Sequence, residues 1–157
     1  MRKLYFANLI CAVSTAFVIV FSLGFSNGFA SCLPIAALFG AVFLFTVAAP
    51  VLVYNTRIGL CVGFVGCMSI LPYNFFMVKE ILTDGVYNWV VFFAISLLLL
   101  IIWASYFTVK LILTNTSHLP EFSNKYVRLL CSFTPIVLFG LYLFLYGRYW
   151  NLAMFMI

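Results

Sequence analysis

The sequence predicts an all-α integral membrane protein, built as a bundle of five transmembrane helices. Of the 157 residues, 67% are hydrophobic and only 7% are charged, whereas soluble domains carry about 25% charged residues. Because so few charged residues cannot cover a surface that faces water, we expect the outer surface of the protein to face lipid. Backbone amides in hydrocarbon must bond internally, which leaves helices or closed barrels. Long continuous apolar runs, such as 90–103, favour helices over the alternating segments of a barrel.

The first predicted helix covers about residues 4–25 and follows the basic start Arg2-Lys3. Gly28-Phe29-Ala30 resembles the small-x-small site at which a signal peptide is cleaved. The apolar run before it has about twenty residues, however, which is longer than the roughly 7–15 residues of a signal-peptide core. We therefore expect an uncleaved transmembrane helix.

The second predicted helix covers about residues 29–54. Pro34 lies in its first turns, where a missing N–H does least harm, and Pro50 is expected to bend its far end. Only residues 55–57 separate it from the third helix. A link this short requires the two helices to form an antiparallel hairpin.

The third predicted helix, at about residues 58–78, is expected to be the central packing element. Gly59, Gly63 and Gly66 lie on adjoining parts of one helical face. Helices in lipid associate through close packing and interhelical hydrogen bonds, and small residues allow backbones to approach. We predict these three glycines as helix-packing positions.

Polar residues within the predicted helices have two interpretations. Asn74 follows Pro72 near one end of the third helix, and Asn8 lies in the first helix. We favour interhelical hydrogen bonds, each worth about 1 kcal/mol or less. The functional alternative is a small polar cavity opened by a bend at Pro72 and lined by Pro72, Asn74 and Asn8.

The remaining predicted helices cover about residues 87–110 and 126–146, the last with a bend expected at Pro135. A polar cytoplasmic loop, residues 111–125, separates them, because Pro120 and several Thr, Asn and Ser residues interrupt the apolar pattern. Residues 1–157 are thus predicted to form a single polytopic membrane domain.

The lysines and arginines predict how the bundle is oriented. Cytoplasmic loops of membrane proteins carry an excess of basic residues. An orientation with the N-terminus inside and the C-terminus outside leaves only Lys79 and Arg148 on the outer side. It places the following residues in the cytoplasm: Arg2, Lys3, Arg57, Lys110, Lys125 and Arg128. The net charge of +5 therefore indicates topology, and we predict no nucleic-acid partner.

The residues that usually carry chemistry are few and scattered. The carboxylates Glu80, Asp84 and Glu121 lie outside the middle of the predicted helices, whereas proton-coupled transport usually places an acid at membrane depth. His118, the single histidine, lies in the polar loop, and haem needs an axial ligand within the bundle. Five cysteines include no C-x-x-C pair. We predict no catalytic residue, no metal and no cofactor.

The sequence thus indicates a class of protein and leaves its function as a hypothesis. We expect a small polytopic membrane protein, and we predict that it lies in a bacterial inner membrane. It would act through contacts with another membrane protein or with itself, either as an accessory subunit of a complex or as an immunity-type protein against a membrane-active toxin. The alternative is a subunit of an oligomeric channel or transporter for small solutes.

Overall fold

A computed structural model describes residues 2–25, 32–83, 89–114 and 124–146. All the regular secondary structure in these residues is helical. The five helices are α1 (Arg2–Phe25), α2 (Cys32–Tyr54), α3 (Thr56–Thr83), α4 (Trp89–Leu113) and α5 (Lys125–Tyr146).

Four of these helices contain apolar stretches long enough to cross a membrane: Ala37–Tyr54, Thr56–Lys79, Val91–Leu113 and Lys125–Tyr146. In α1, which has 24 residues, the apolar stretch whose side chains the structure describes is Lys3–Ile19. The prediction of a helical membrane protein is therefore confirmed, with four helices of spanning length in the described part of the chain.

Asn55 is the single residue between α2 and α3. Its side-chain Oδ1 accepts a hydrogen bond from the Ile58 N–H at 3.3 Å, and its carbonyl accepts one from the Gly59 N–H at 2.9 Å. Asparagine at this position caps the helix by satisfying an N–H that has no partner within it. The cap explains why α3 begins at Thr56, two residues before the predicted start.

Two helices also continue beyond their predicted ends. α3 reaches Thr83 rather than residue 78, and α4 reaches Leu113 rather than residue 110. The predicted ends were placed where the apolar run stops. Lysine and glutamate are good helix formers, however, so a helix can continue past the edge of the lipid until a turn signal ends it.

The centre of the bundle is α2, and the expectation that α3 would occupy it was wrong. α2 packs against α1, α3 and α5, whereas α3 packs chiefly against α2 and α4. Within the membrane-length stretches, 56% of α2 is buried, compared with 28% of α3 and 11% of α5. Fully buried Ala41, Ala48 and Ala49 give α2 a thin surface that admits several neighbours.

The helices alternate in direction, which brings the basic residues to one end. Along α3, Gly59 lies against Leu52 and Gly66 lies against Phe45, so α3 runs opposite to α2. On α5, Arg128 lies over Tyr54 and Phe139 lies beside Phe43, so α5 also runs opposite to α2. On α1, Asn8 lies beside Gly63 and Cys11 lies near Cys67, so α1 runs in the direction of α3. On α4, Ser105 lies near Cys67 and Phe93 lies beside Phe17, so α4 runs opposite to α1 and α3. α1, α3 and α5 therefore run one way, and α2 and α4 run the other. The basic residues at the common end are Lys3, Arg57, Lys110, Lys125 and Arg128, and Lys79 lies at the opposite end.

Arg128 and a capping asparagine fix the first turn of α5. The Arg128 guanidinium lies over the Tyr54 ring, 4.7 Å from its centroid, a geometry in which a cation is attracted to the aromatic face. Asn124 accepts hydrogen bonds from the Tyr126 and Arg128 amides, through its side chain and its carbonyl respectively. The start of α5 is thus held against the end of α2.

Pro135 creates the contact between α1 and α5. Proline has no N–H, so the carbonyl of Cys131, four residues earlier, has no helical partner. The buried Tyr5 hydroxyl donates a hydrogen bond to this carbonyl at 2.7 Å. A side chain of α1 therefore supplies the bond that α5 lacks, which matters in lipid because water cannot supply it.

We expect Tyr5→Phe to lower the free energy of unfolding in detergent micelles by about 1 kcal/mol, because the Cys131 carbonyl loses its donor. In a Pro135→Ala background the restored N–H can bond to that carbonyl, so Tyr5→Phe should cost less. Tyr126→Phe, at an exposed position, is the control. Equal losses in both backgrounds would contradict this account.

Candidate functional site

The closest helix contact lies between α3 and α2 at Gly59. A Cβ at this position would lie 2.5 Å from both the Cα and the backbone nitrogen of Leu52. The obstacle is backbone, which cannot rotate away, so only glycine fits. Seven residues further along α3, a Cβ at Gly66 would lie 3.1 Å from the Phe45 ring. These two glycines therefore set the separation of α2 and α3.

Gly63 faces a different neighbour. A Cβ at this position would lie 3.0 Å from Nδ2 of Asn8 on α1. The three glycines singled out in the sequence thus contact two helices, with Gly59 and Gly66 towards α2 and Gly63 towards α1. The pairing of Gly63 with Asn8 was not predicted, because residues 55 positions apart share no local pattern.

Asn8 and Asn74 are buried amides with incomplete hydrogen bonding. Within the described part of the chain, Asn8 Nδ2 and both polar atoms of the Asn74 amide have no hydrogen-bond partner. A buried polar group without a partner costs about 1–3 kcal/mol. A polar partner for the Asn74 amide, in which neither polar atom is bonded, would therefore stabilise the protein.

The structure does not bring the two asparagines together. Asn8 lies beside Gly63, and Asn74 is eleven residues further along α3, which is roughly 16 Å at the rise of an α-helix. The third residue of the proposed polar cavity, Pro72, is exposed on the outer surface of α3. Asn8 and Asn74 therefore lie at different depths in the bundle.

Seven serine and threonine hydroxyls in the helices bond within their own helix. Each donates a hydrogen bond of 2.6–2.8 Å to the carbonyl four residues earlier. This pattern satisfies a hydroxyl in lipid without an interhelical partner. The residues are Thr15, Thr46, Ser69, Ser105, Thr108, Ser132 and Thr134. They hold the polar groups close to their own helices rather than forming a polar path.

Cysteine and acidic side chains do not assemble into a ligand set in the described residues. Cys11 and Cys67 are buried near each other, Cys61 is exposed, and all three are free thiols. Across the described ranges, no three His, Cys, Asp or Glu side chains are grouped so that they could hold a metal ion. His118, Glu121 and Asp84 and the side chain of Glu80 lie outside the described residues.

A cavity of about 260 Å³ lies between α1, α2 and α5. Its lining is almost entirely apolar and includes Ala12 and Ala16 of α1, Val42 of α2, and Pro135 and Tyr142 of α5. None of the residues predicted as packing or polar-cavity positions lines it. The sequence analysis missed this cavity, although alanines four residues apart on α1 and a proline in α5 are the signals that could have indicated it.

One end of the bundle carries the basic residues that were predicted to set the topology. Lys3, Arg57, Lys110 and Lys125 are exposed there, and Arg128 is half-buried against Tyr54. The side chain of Arg2 lies outside the described residues, although its backbone begins α1. A basic end suits contact with anionic lipid headgroups or solvent.

No family model, no curated protein and no solved structure matches the chain. The class of the protein therefore follows from the helices alone. It is an all-helical, membrane-embedded bundle in the part that the structure describes. Its function has to be inferred from its packing, its cavity and its few buried polar groups.

Substituting Gly59 with Ala should lower the free energy of unfolding by about 1–3 kcal/mol, because the new methyl group meets the Leu52 backbone. Gly40→Ala is the matched control, since a Cβ at Gly40 meets nothing within 4 Å and alanine favours the helix. Chemical unfolding in detergent measures both. Equal stability of the two variants would show that α2 and α3 do not need glycine at this contact.

Asn74→Leu should raise the free energy of unfolding by about 1–2 kcal/mol, because it removes an unsatisfied buried amide while filling a similar volume. Asn55→Ala is the comparison variant, because loss of the α3 cap should lower the free energy of unfolding by about 1 kcal/mol. The same detergent unfolding assay applies. If Asn74→Leu destabilises the protein, the amide has a partner that the described residues do not supply.

Proposed function

We propose that this protein acts by protein–protein contacts within the membrane rather than by catalysis, without a cofactor. It would be an accessory subunit of a membrane complex or an immunity-type protein against a membrane-active toxin. The observation that carries the proposal is the small buried share of α5, 11% of its membrane-length stretch. A helix held to its own bundle at few points has most of its apolar surface available to a partner.

The outer face of α5 has the composition of a helix-packing surface in lipid. Large exposed apolar side chains cover it, and it carries no charged residue between Leu129 and Tyr146. The exposed set is Leu129, Leu130, Phe133, Ile136, Val137 and Phe144. Gly140 lies among them, with nothing within 4 Å of a Cβ at that position. A partner helix could therefore approach α5 closely at this point.

The same proposal includes five membrane spans, with the N-terminus inside and the C-terminus outside. α1 has 24 residues, about 36 Å of helix, which exceeds the roughly 30 Å of a hydrocarbon core. The end of the bundle that carries Lys3, Arg57 and Lys110 would face the cytoplasm under the positive-inside rule. We propose a bacterial cytoplasmic membrane as the location.

A second candidate function is a subunit of an oligomeric channel or transporter for small solutes. The unsatisfied amide of Asn74 supports it, because buried polar groups in membrane helices often mark a solute or water path. Separation of Asn8 from Asn74 along the bundle favours the first proposal, since a path would need polar groups at intermediate depths. Seven serine and threonine hydroxyls of the described helices bond within their own helices instead.

A photoreactive phenylalanine analogue at Phe133 tests the proposed contact in native membranes. We expect a discrete adduct with one foreign membrane protein, and native mass measurement in mild detergent should show that protein in a fixed ratio. The control position is Phe92, which is exposed on α4 and should label lipid. Lipid adducts alone at both positions would overturn the proposal. Adducts with a second copy, in a symmetric oligomer, would favour the channel or transporter subunit.

A further inference from the structure

The cavity between α1, α2 and α5 is a groove that opens towards the lipid. Its floor is formed by buried side chains, including Ala12, Ala16 and Val42. Its rim is formed by exposed side chains, including Val13 and Phe17 of α1. Hydrocarbon chains of the bilayer therefore have direct access to it from the side.

The groove exists because small residues of α1 face α5 beside Pro135. α1 contacts α5 only slightly, and the hydrogen bond from Tyr5 to the Cys131 carbonyl lies below one end of the groove. Beyond that bond, Ala12 and Ala16 present single methyl groups towards α5. α5 itself is held to α2, where the Phe43 and Phe139 rings lie 6.4 Å apart. The space between α1 and α5 consequently remains unfilled by the chain.

The groove runs parallel to the helices. On α1 it extends from Leu9 to Phe17, and on α5 from Pro135 to Tyr146. Eight residues of α1 correspond to about 12 Å along the membrane normal. An occupant must therefore be elongated and must lie in the same direction as the acyl chains of the surrounding lipid.

Size and polarity decide which occupant fits. A helix of about 12 Å length and 10 Å diameter takes roughly 900 Å³, several times the 260 Å³ of the groove. Water is disfavoured because the lining offers few polar partners. The Thr46 hydroxyl, for example, already donates to the Val42 carbonyl at 2.7 Å. A single hydrocarbon chain satisfies both conditions.

We propose that this groove is a binding site for one acyl chain of a bilayer lipid. Tyr142 and Tyr146 line its end near the last turn of α5, where amphipathic phenol groups suit the boundary between hydrocarbon and headgroups. The lipid headgroup lies at the Tyr146 end, and the chain extends towards Leu9. The proposal does not depend on a partner for α5, because the groove and the outer face of α5 lie on different sides of that helix.

A phosphatidylcholine with a photoreactive diazirine in one acyl chain tests this site in reconstituted vesicles. We expect adducts to concentrate at Val13, Phe17 and Leu138, at least fivefold above those at Phe92 and Phe144, which are exposed outside the groove. This comparison within the wild-type protein needs no variant. Equal labelling of all five positions would overturn the proposal, because it would show only the surrounding lipid.

Ala16→Phe provides the matched test, since its ring should fill the groove. Groove labelling should fall at least fivefold in this variant. Gly140→Phe is the control, because it places a phenylalanine ring on α5 in open space, outside the groove lining, and should leave the labelling unchanged. Undiminished groove labelling in folded Ala16→Phe would contradict the proposal. If that variant does not fold, Ala12→Leu adds a smaller group to the same floor, and the same criterion applies.

Discussion

Backbone hydrogen bonding in lipid is the constraint on which this structure depends. Every N–H and C=O within hydrocarbon must find a partner in the protein. Helices satisfy most of them, and a proline breaks the pattern. At Pro135 the freed Cys131 carbonyl is satisfied by the Tyr5 hydroxyl, so a defect in one helix becomes a specific contact with another. Further along, Ala12 and Ala16 of α1 are too small to fill the space towards α5, and the groove lies there.

Close packing supplies the second level of organisation. Gly59 allows α3 to approach the backbone of α2 at Leu52, and the buried alanines of α2 make it the shared neighbour of α1, α3 and α5. In lipid the gain comes from packing rather than from removal of water. The helix with the most small, buried surface therefore becomes central, and α5, with bulky exposed side chains, stays peripheral.

The proposed functions follow from what this arrangement leaves unsatisfied or uncovered. The outer face of α5 is apolar and lacks a neighbour within the described chain, which supports a protein partner. The groove beside α1 is narrower and accommodates a chain rather than a helix. Asn74 is the polar exception, because its amide is fully buried without a hydrogen bond in the described residues. These three features lie at different positions, so each can be altered separately.

The sequence by itself determined the all-helical membrane class, the approximate positions of the helices and the collection of basic residues at helix ends. The composition and the length of each apolar segment are local properties of the sequence. In lipid, these two properties determine which segments form helices. The tertiary structure alone decided that α2 is central, that Gly63 meets Asn8, and that Tyr5 bonds to the Cys131 carbonyl. It also decided that a groove lies beside Pro135. These contacts join residues distant in the chain, and they depend on how each helix is rotated about its axis. Nearly uniform apolarity around α1, α2, α3 and α4 leaves no sequence pattern from which their rotation could be read.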